Sequence, residues 1–212
     1  MIDYSIGVCF VGSSFVGKSS LGTRLDKNEF FYDMLTTIGV DYLTTIFNIN
    51  YKEINYSLKW RIWDTAGQET FKSLITSYFK SGTVYILMYD ITDKQSFKEL
   101  DYWTNEILDN GTNSKFIYLV GNKTDKIFDR IISKEQGELY ANYINAKYFE
   151  ISVKNNTGIK DLVDTINYDI MEYIVDNKDS KEEKENIGIK YELEKYNLFY
   201  EEKKDKKCCI IM

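Results

Sequence analysis

The sequence predicts an α/β fold, a mainly parallel sheet with helices on both faces. Three observations carry that prediction. Apolar, strand-like runs alternate with segments of helical period from residue 4 to residue 174. The string Gly12-Ser-Ser-Phe-Val-Gly17-Lys18-Ser19, which reads G-x-x-x-x-G-K-S, directly follows the apolar run 6–11. The runs 84–91 and 116–120 are almost continuously apolar, as strands covered on both faces are. Strands that alternate with helices are joined by right-handed crossovers, and ligands then sit at the carboxyl ends of the strands.

Residues 4–11 read as the first strand and 18–26 as a helix that opens on the glycine-rich string. Residues 27–39 are polar and aromatic without a period, so they read as a loop. Residues 40–49 and 56–63 alternate apolar and polar positions, which is the pattern of a β-hairpin with one solvated face. A glycine-containing loop over 64–70 leads into a short helix ending near residue 80. Between the buried strands, 96–108 has helical spacing through Phe97, Leu100, Trp103, Ile107 and Leu108. A helix over 134–144, a strand over 147–151 and an amphipathic helix over 159–174 complete the domain. The last helix turns Leu162, Val163, Ile166, Ile170 and Ile174 inward. After Val175 the chain becomes dense in Lys, Glu and Asp and cannot bury enough apolar surface to order itself. The expected organisation is one domain over residues 1–175 and a largely disordered tail over 176–212.

Bulk properties exclude several function classes. A net charge of −6 argues against a nucleic-acid binder, which wants a basic face. The absence of histidine removes any His-based catalytic triad or His-ligated zinc. Three cysteines, two of them adjacent, are not a disulfide framework and suit a reducing compartment. The start, Met1-Ile-Asp-Tyr-Ser, has no basic and apolar leader pattern, and no apolar run is long enough to span a bilayer.

The glycine-rich string is the phosphate-cradling loop of a nucleotide-binding domain. Its glycines let the backbone turn so that the N–H groups of Ser14, Phe15, Val16, Gly17, Lys18, Ser19 and Ser20 face phosphate oxygens. Lys18 reaches the β- and γ-phosphates, and the Ser19 hydroxyl is a ligand for Mg²⁺. Further on, Asp64-Thr-Ala-Gly67-Gln68 ends the hairpin. Asp64 is placed to hold the magnesium through a water, Gly67 to approach the γ-phosphate and Gln68 to orient an attacking water. Asn122-Lys123-Thr-Asp125 follows the strand 116–120. The Asp125 carboxylate accepts from N1–H and N2–H₂ of guanine, a pair of donors that adenine lacks. Asn122 ties loops together, and the Lys123 stem covers the base. In Ser152-Val153-Lys154 the Val153 N–H is offered to guanine O6. Alone, Asn122 to Asp125 reads equally as an Asx turn; in this order behind a phosphate loop the three motifs make the base guanine.

With these motifs the chain resembles the Ras superfamily of small GTPases and, within it, the Rab family, over about residues 4–175. The Rab-like strings are Ile38-Gly-Val-Asp-Tyr42, Lys59-Trp-Arg-Ile-Trp63, Phe71-Lys-Ser-Leu-Ile-Thr76, Tyr78-Phe-Lys-Ser-Gly82 and Leu87-Met-Tyr-Asp-Ile-Thr92. The resemblance implies a P-loop NTPase G domain: a six-stranded, mostly parallel sheet with one antiparallel edge strand. It implies Thr37 as a switch ligand of Mg²⁺ and the γ-phosphate, Phe30 stacked on the guanine, and Ile38, Tyr42, Trp63 and Tyr78 facing effectors. It also implies partners: an exchange factor, a GTPase-activating protein, a GDP dissociation inhibitor or escort protein, and effectors, around a monomeric switch. Phe15, Val153, Thr70 and Met34 depart from commoner residues, and the Phe15 ring crowds the path an activating arginine would take.

Within the tail, 187–200 mixes Ile, Leu, Tyr and Phe with charges and reads either as a solvated segment or as one that docks in a partner's groove. The end, Lys203-Lys-Asp-Lys-Lys207-Cys208-Cys209-Ile-Ile-Met212, fits C-a-a-X prenylation. The Cys208-Cys209 pair also resembles the Rab pattern that takes two geranylgeranyl groups. Two chains hold where one is marginal, and the lysines add attraction to an anionic cytoplasmic leaflet. The sequence thus predicts a lipid-anchored hydrolase of GTP, switching between GTP and GDP forms on a cytoplasmic membrane face. The alternatives are a GTP-loaded scaffold with little hydrolysis and, more remotely, a nucleotide kinase.

Overall fold

The structure, a computed structural model, describes residues 2–32, 39–65, 78–111 and 116–176. In chain order the elements are β1 (Ile2–Val11), α1 (Lys18–Lys27), β2 (Val40–Tyr51), β3 (Ile54–Thr65), β4 (Val84–Asp90), α2 (Lys94–Lys98), α3 (Leu100–Asn110) and β5 (Phe116–Asn122). A 3₁₀ helix (Thr124–Asp129), α4 (Lys134–Tyr143), β6 (Lys147–Glu150) and α5 (Ile159–Asp176) follow. The six strands form one sheet in the order β2-β3-β1-β4-β5-β6. Every neighbouring pair is parallel except β2 with β3, so the antiparallel strand lies at the edge.

The two-residue period of a strand sorts the core into two layers. Ile6, Val8 and Phe10 of β1, with Val84, Ile86 and Met88 of β4, face α1 and α5 through Leu21, Leu162, Ile166 and Ile170. Cys9 and Val11, with Tyr85, Leu87 and Tyr89, face α3 and α4 through Leu100, Trp103, Ile107 and Ala141. Central strands buried on both sides therefore read as apolar runs, and each large aliphatic side chain so buried contributes about 1.5–3 kcal/mol. Cys9 is fully enclosed, and burial pushes its thiol well above the ordinary range. A side-chain polar pair is enclosed between sheet and helix: the Trp60 indole N–H donates to Asn167 Oδ1 at 2.9 Å, bolting β3 to α5.

The structure refines two sequence expectations and adds a short helix. The hairpin strands extend to a two-residue turn at Lys52 and Glu53, both at positive φ (50° and 65°). That geometry usually recruits Asn-Gly, so the turn carried no composition signal. The helix expected over 96–108 is two helices, broken at Glu99; Asp93 caps the first by accepting from the Gln95 N–H. The 3₁₀ helix after β5 was not anticipated, having too few residues to show a period. Of the short helix expected before residue 80, only Tyr78 and Phe79 fall within the described residues, and they are helical.

Candidate nucleotide site

At the carboxyl ends of β1, β3, β5 and β6 lies a cleft of about 350 Å³. It begins where β1 stops. Gly12 has φ 139° and Gly17 φ 103°, and a Cβ would stand 2.3 Å from the Met88 carbonyl oxygen at the first and 2.3 Å from Asn122 Nδ2 at the second. Only glycine meets both demands, the left-handed backbone and the close approach. Gly17 gives α1 no side-chain cap and no acidic residue occupies the first turn, so the helix N-terminus faces the cleft with its positive dipole end.

Lys18 is 5% exposed, and its Nζ donates to the Gly12 and Ser13 carbonyls at 2.8 and 2.7 Å. Burial lowers its pKa to about 8, and the nearby Asp64 carboxylate partly raises it again. Asp64 itself is buried at the end of β3. Ser13 donates its hydroxyl to Glu99, which also accepts from Gln95 Nε2, so the phosphate loop is tied to the break between α2 and α3.

The other wall comes from two loops after β5 and β6. The Asn122 side chain donates to the Val16 carbonyl at 2.8 Å and accepts from the Val153 N–H at 3.2 Å. The Val153 N–H, expected to face guanine O6, is thus engaged by Asn122. Ser152 donates to Asp125 Oδ1 at 2.6 Å, which orients that carboxylate. Lys123, at φ 69°, pairs its Nζ with Asp90 Oδ2 at 2.7 Å. Arg130 forks onto Glu150 at 2.7 and 2.9 Å, holding the segment after the 3₁₀ helix against the end of β6.

Ser14, Phe15, Gly17, Lys18, Ser19, Ser20, Phe30, Asn122, Lys123, Asp125, Val153 and Lys154 all line this cleft. Val16 and Ser152 support it from behind through Asn122 and Asp125. Tyr42, Trp63 and Tyr78 form a separate aromatic row, with centroids 6.1 and 6.5 Å apart along it. Phe15 stands at the cleft mouth at φ 63° with 75% of its surface exposed. Thr37, Ile38, Gly67, Gln68, Cys208 and Cys209, with Met34 and Thr70, lie outside the described residues.

Hydroxyl and carboxylate oxygens at Ser19 and Asp64 are hard donors. Among the described residues no cluster of three or more His, Cys, Asp or Glu could hold a metal alone. That donor set suits Mg²⁺, which keeps waters and shares phosphate oxygens rather than needing an all-protein cage. Two contributors escaped the sequence reading. Arg24 of α1 and Glu99 both reach site loops through contacts far apart in the chain, and nothing in their local sequence marks them.

Residues 7–172 match the model of the Ras family. The chain is 36% identical over 163 residues to Ras-related protein RabC of Dictyostelium discoideum, covering 77% of this chain and 82% of that protein. It is 34% identical over 174 residues to GTP-binding protein ypt2 of Schizosaccharomyces pombe, covering 82% and 85%. To human Ras-related protein Rab-3A it is 35% identical over 168 residues, covering 77% and 74%.

Proposed function

Since the chain belongs to the Rab family of Ras-related small GTPases, and so to the GTP hydrolases, we propose that it is a membrane-attached switch that recruits effectors in vesicle-mediated transport. The observation that supports this best is the convergence on one cleft of the phosphate loop, Asp125 and the 152–154 loop. The unit that binds and hydrolyses GTP is residues 1–175, and 176–212 is the tail that carries the anchor.

In this reading the phosphate-loop N–H groups and the Lys18 ammonium hold the β- and γ-phosphates, and phosphate charge restores the proton that burial weakens. Ser19, Asp64 and Thr37 would hold Mg²⁺, which would supply charge neutralisation on the phosphates. Asp125, oriented by Ser152, pairs with guanine N1–H and N2–H₂, while Phe30 and the Lys123 stem cover the ring faces. Gln68 orients a water whose oxygen attacks the γ-phosphorus. The bond to the β–γ bridging oxygen breaks, GDP leaves with the electron pair, and the water's proton passes to the released phosphate. Charge spreads over γ-oxygens held by Lys18 and the backbone donors. Thr37 and Gly67 grip the γ-phosphate only in the triphosphate state, so hydrolysis releases both segments. No residue of these motifs offers an internal arginine finger, so turnover is slow until an activating protein supplies one, a gain of about 10³–10⁵.

The aromatic row of Tyr42, Trp63 and Tyr78, with Ile38, is the surface that effectors read. An exchange factor loads GTP, and a dissociation inhibitor or escort protein handles the prenylated Cys208 and Cys209. No described helix is long and apolar enough to cross a membrane, so attachment rests on those lipids and the adjoining lysines. Calorimetry with GTP, GDP and ATP tests the reading together with Ser19→Asn. The expected results are a strong preference for guanine and, in the variant, weakened Mg²⁺ and a bias to GDP. Equal affinity for ATP would overturn it.

The second reading, a GTP-loaded scaffold that scarcely hydrolyses, is favoured by one feature: the exposed ring of Phe15 at the cleft mouth. Single-turnover hydrolysis with and without an activating protein separates the two.

A further inference from the structure

Arg24 lies on α1, the helix whose first turn carries Lys18 and Ser19. Its guanidinium leaves that helix and crosses to the loop after β6. Nε and Nη2 donate to the Val153 carbonyl at 3.2 and 3.1 Å, and Nη2 also to the Lys154 carbonyl at 3.2 Å. Nη1 donates to the Asn28 carbonyl at 2.8 Å, closing the end of α1. The fork therefore fixes two successive peptide groups of a loop 129 residues away. Lysine could not do this, because one ammonium lacks the planar fork.

The consequence follows from peptide geometry. A trans peptide is planar, so its C=O and N–H point in opposite directions. Holding the Val153 carbonyl on the Arg24 side turns the Lys154 N–H to the other side. Val153 and Lys154 line the cleft and Arg24 does not. Within the loop, the Val153 N–H goes to Asn122 Oδ1, that of Asn155 to Ser152 Oγ and that of Thr157 to the Ser152 carbonyl. Among the described residues, the Lys154 N–H has no such assignment.

We propose that Arg24 is a specificity-determining positioning residue: by gripping the Val153 carbonyl it aims the Lys154 N–H at O6 of the bound guanine. The base loop is thereby pinned to α1 from outside and to Asn122 from beneath, and the helix that holds the phosphates also sets the recognition of the base. This rests on the guanine-nucleotide reading above.

The test uses the full chain, Arg24→Ala and Arg24→Gln, with dissociation constants for GDP, ADP, IDP and 6-thio-GDP. 6-Thio-GDP keeps N1–H and N2–H₂ but replaces O6 by sulfur, a weak acceptor; IDP keeps O6 and loses the N2 amine. The wild-type chain is expected to bind 6-thio-GDP about tenfold more weakly than GDP, the scale of one well-placed hydrogen bond. In Arg24→Ala that ratio falls to about one while the IDP-to-GDP ratio, set by Asp125, is unchanged. Arg24→Gln keeps one donor and falls between, which preserves the test if the alanine variant does not fold. A thio ratio unmoved in the variants, or one that falls together with the IDP ratio, overturns the proposal, since a purely structural role moves both or neither. A wild-type chain that binds ADP as tightly as GDP overturns the guanine reading instead.

Discussion

Asn122 donates to the carbonyl of Val16 at 2.8 Å, joining the end of β5 to the phosphate loop across 106 residues of chain. The same side chain accepts from Val153, so one amide holds three segments in register. Asn122 is 2% exposed, and water cannot replace what it supplies.

Asn122→Ala leaves a buried carbonyl and a buried N–H without partners, each worth about 1–3 kcal/mol. GDP affinity is expected to fall by about 10²–10³. Calorimetry measures it; a loss under about twofold would show that the bridge does not hold the site together.

Lys18 gives the site a pH dependence. Its pKa without nucleotide is about 8, below the free value of 10.5. Between those values the unfolded chain binds more protons, so the stability of the nucleotide-free protein rises with pH across that window. Nucleotide binding does the reverse. Phosphates favour the ammonium, so above pH about 8 binding takes up a proton and GDP affinity falls, by up to about tenfold per pH unit. Titrations in buffers of different ionisation enthalpy would count that proton. Lys18→Arg, whose charge persists, should flatten the profile whatever it does to affinity.

Asn167→Ala strands the indole N–H of Trp60 in the core. The expected loss is about 1–3 kcal/mol of stability, read from chemical denaturation, with little change in GDP dissociation. The double variant Trp60→Phe with Asn167→Leu should recover part of it, because removing both polar partners leaves no orphan. A double variant no better than the single one would place the cost in packing instead.

Phe15 holds a left-handed backbone that glycine adopts freely. Phe15→Gly is expected to stabilise the protein by about 1 kcal/mol and to raise activator-assisted hydrolysis more than intrinsic hydrolysis. Equal effects on both rates would remove the ring as an obstacle to a partner.

How much was legible before the structure depends on what signal each element left. The central strands and α5 announce themselves because burial on two faces or one stripe imposes a period, as Ile86-Leu87-Met88 and Leu162, Ile166 and Ile170 illustrate. The break at Glu99 left no glycine or proline, and Lys52-Glu53 adopts a turn geometry its composition does not advertise. Glycine spacing and side-chain type singled out residues 14–20, 122–125 and 152–154 as candidates, and the fold brings most of them into the lining of one cleft. Arg24 was not. An arginine on a helix reads as solvated, and its importance lies in carbonyls 129 and 130 residues later that no local pattern encodes. The Val153 N–H was assigned to the base by the order of motifs alone, whereas the fold gives it a partner inside the protein.

The sealed position of Cys9 has a practical corollary. With three thiols in all and this one enclosed and held protonated, any sulfhydryl that an alkylating reagent reaches in the native state belongs to Cys208 or Cys209. Counting reactive sulfurs before and after denaturation therefore assays whether the carboxyl-terminal pair is free or blocked, without a mutation or a tag.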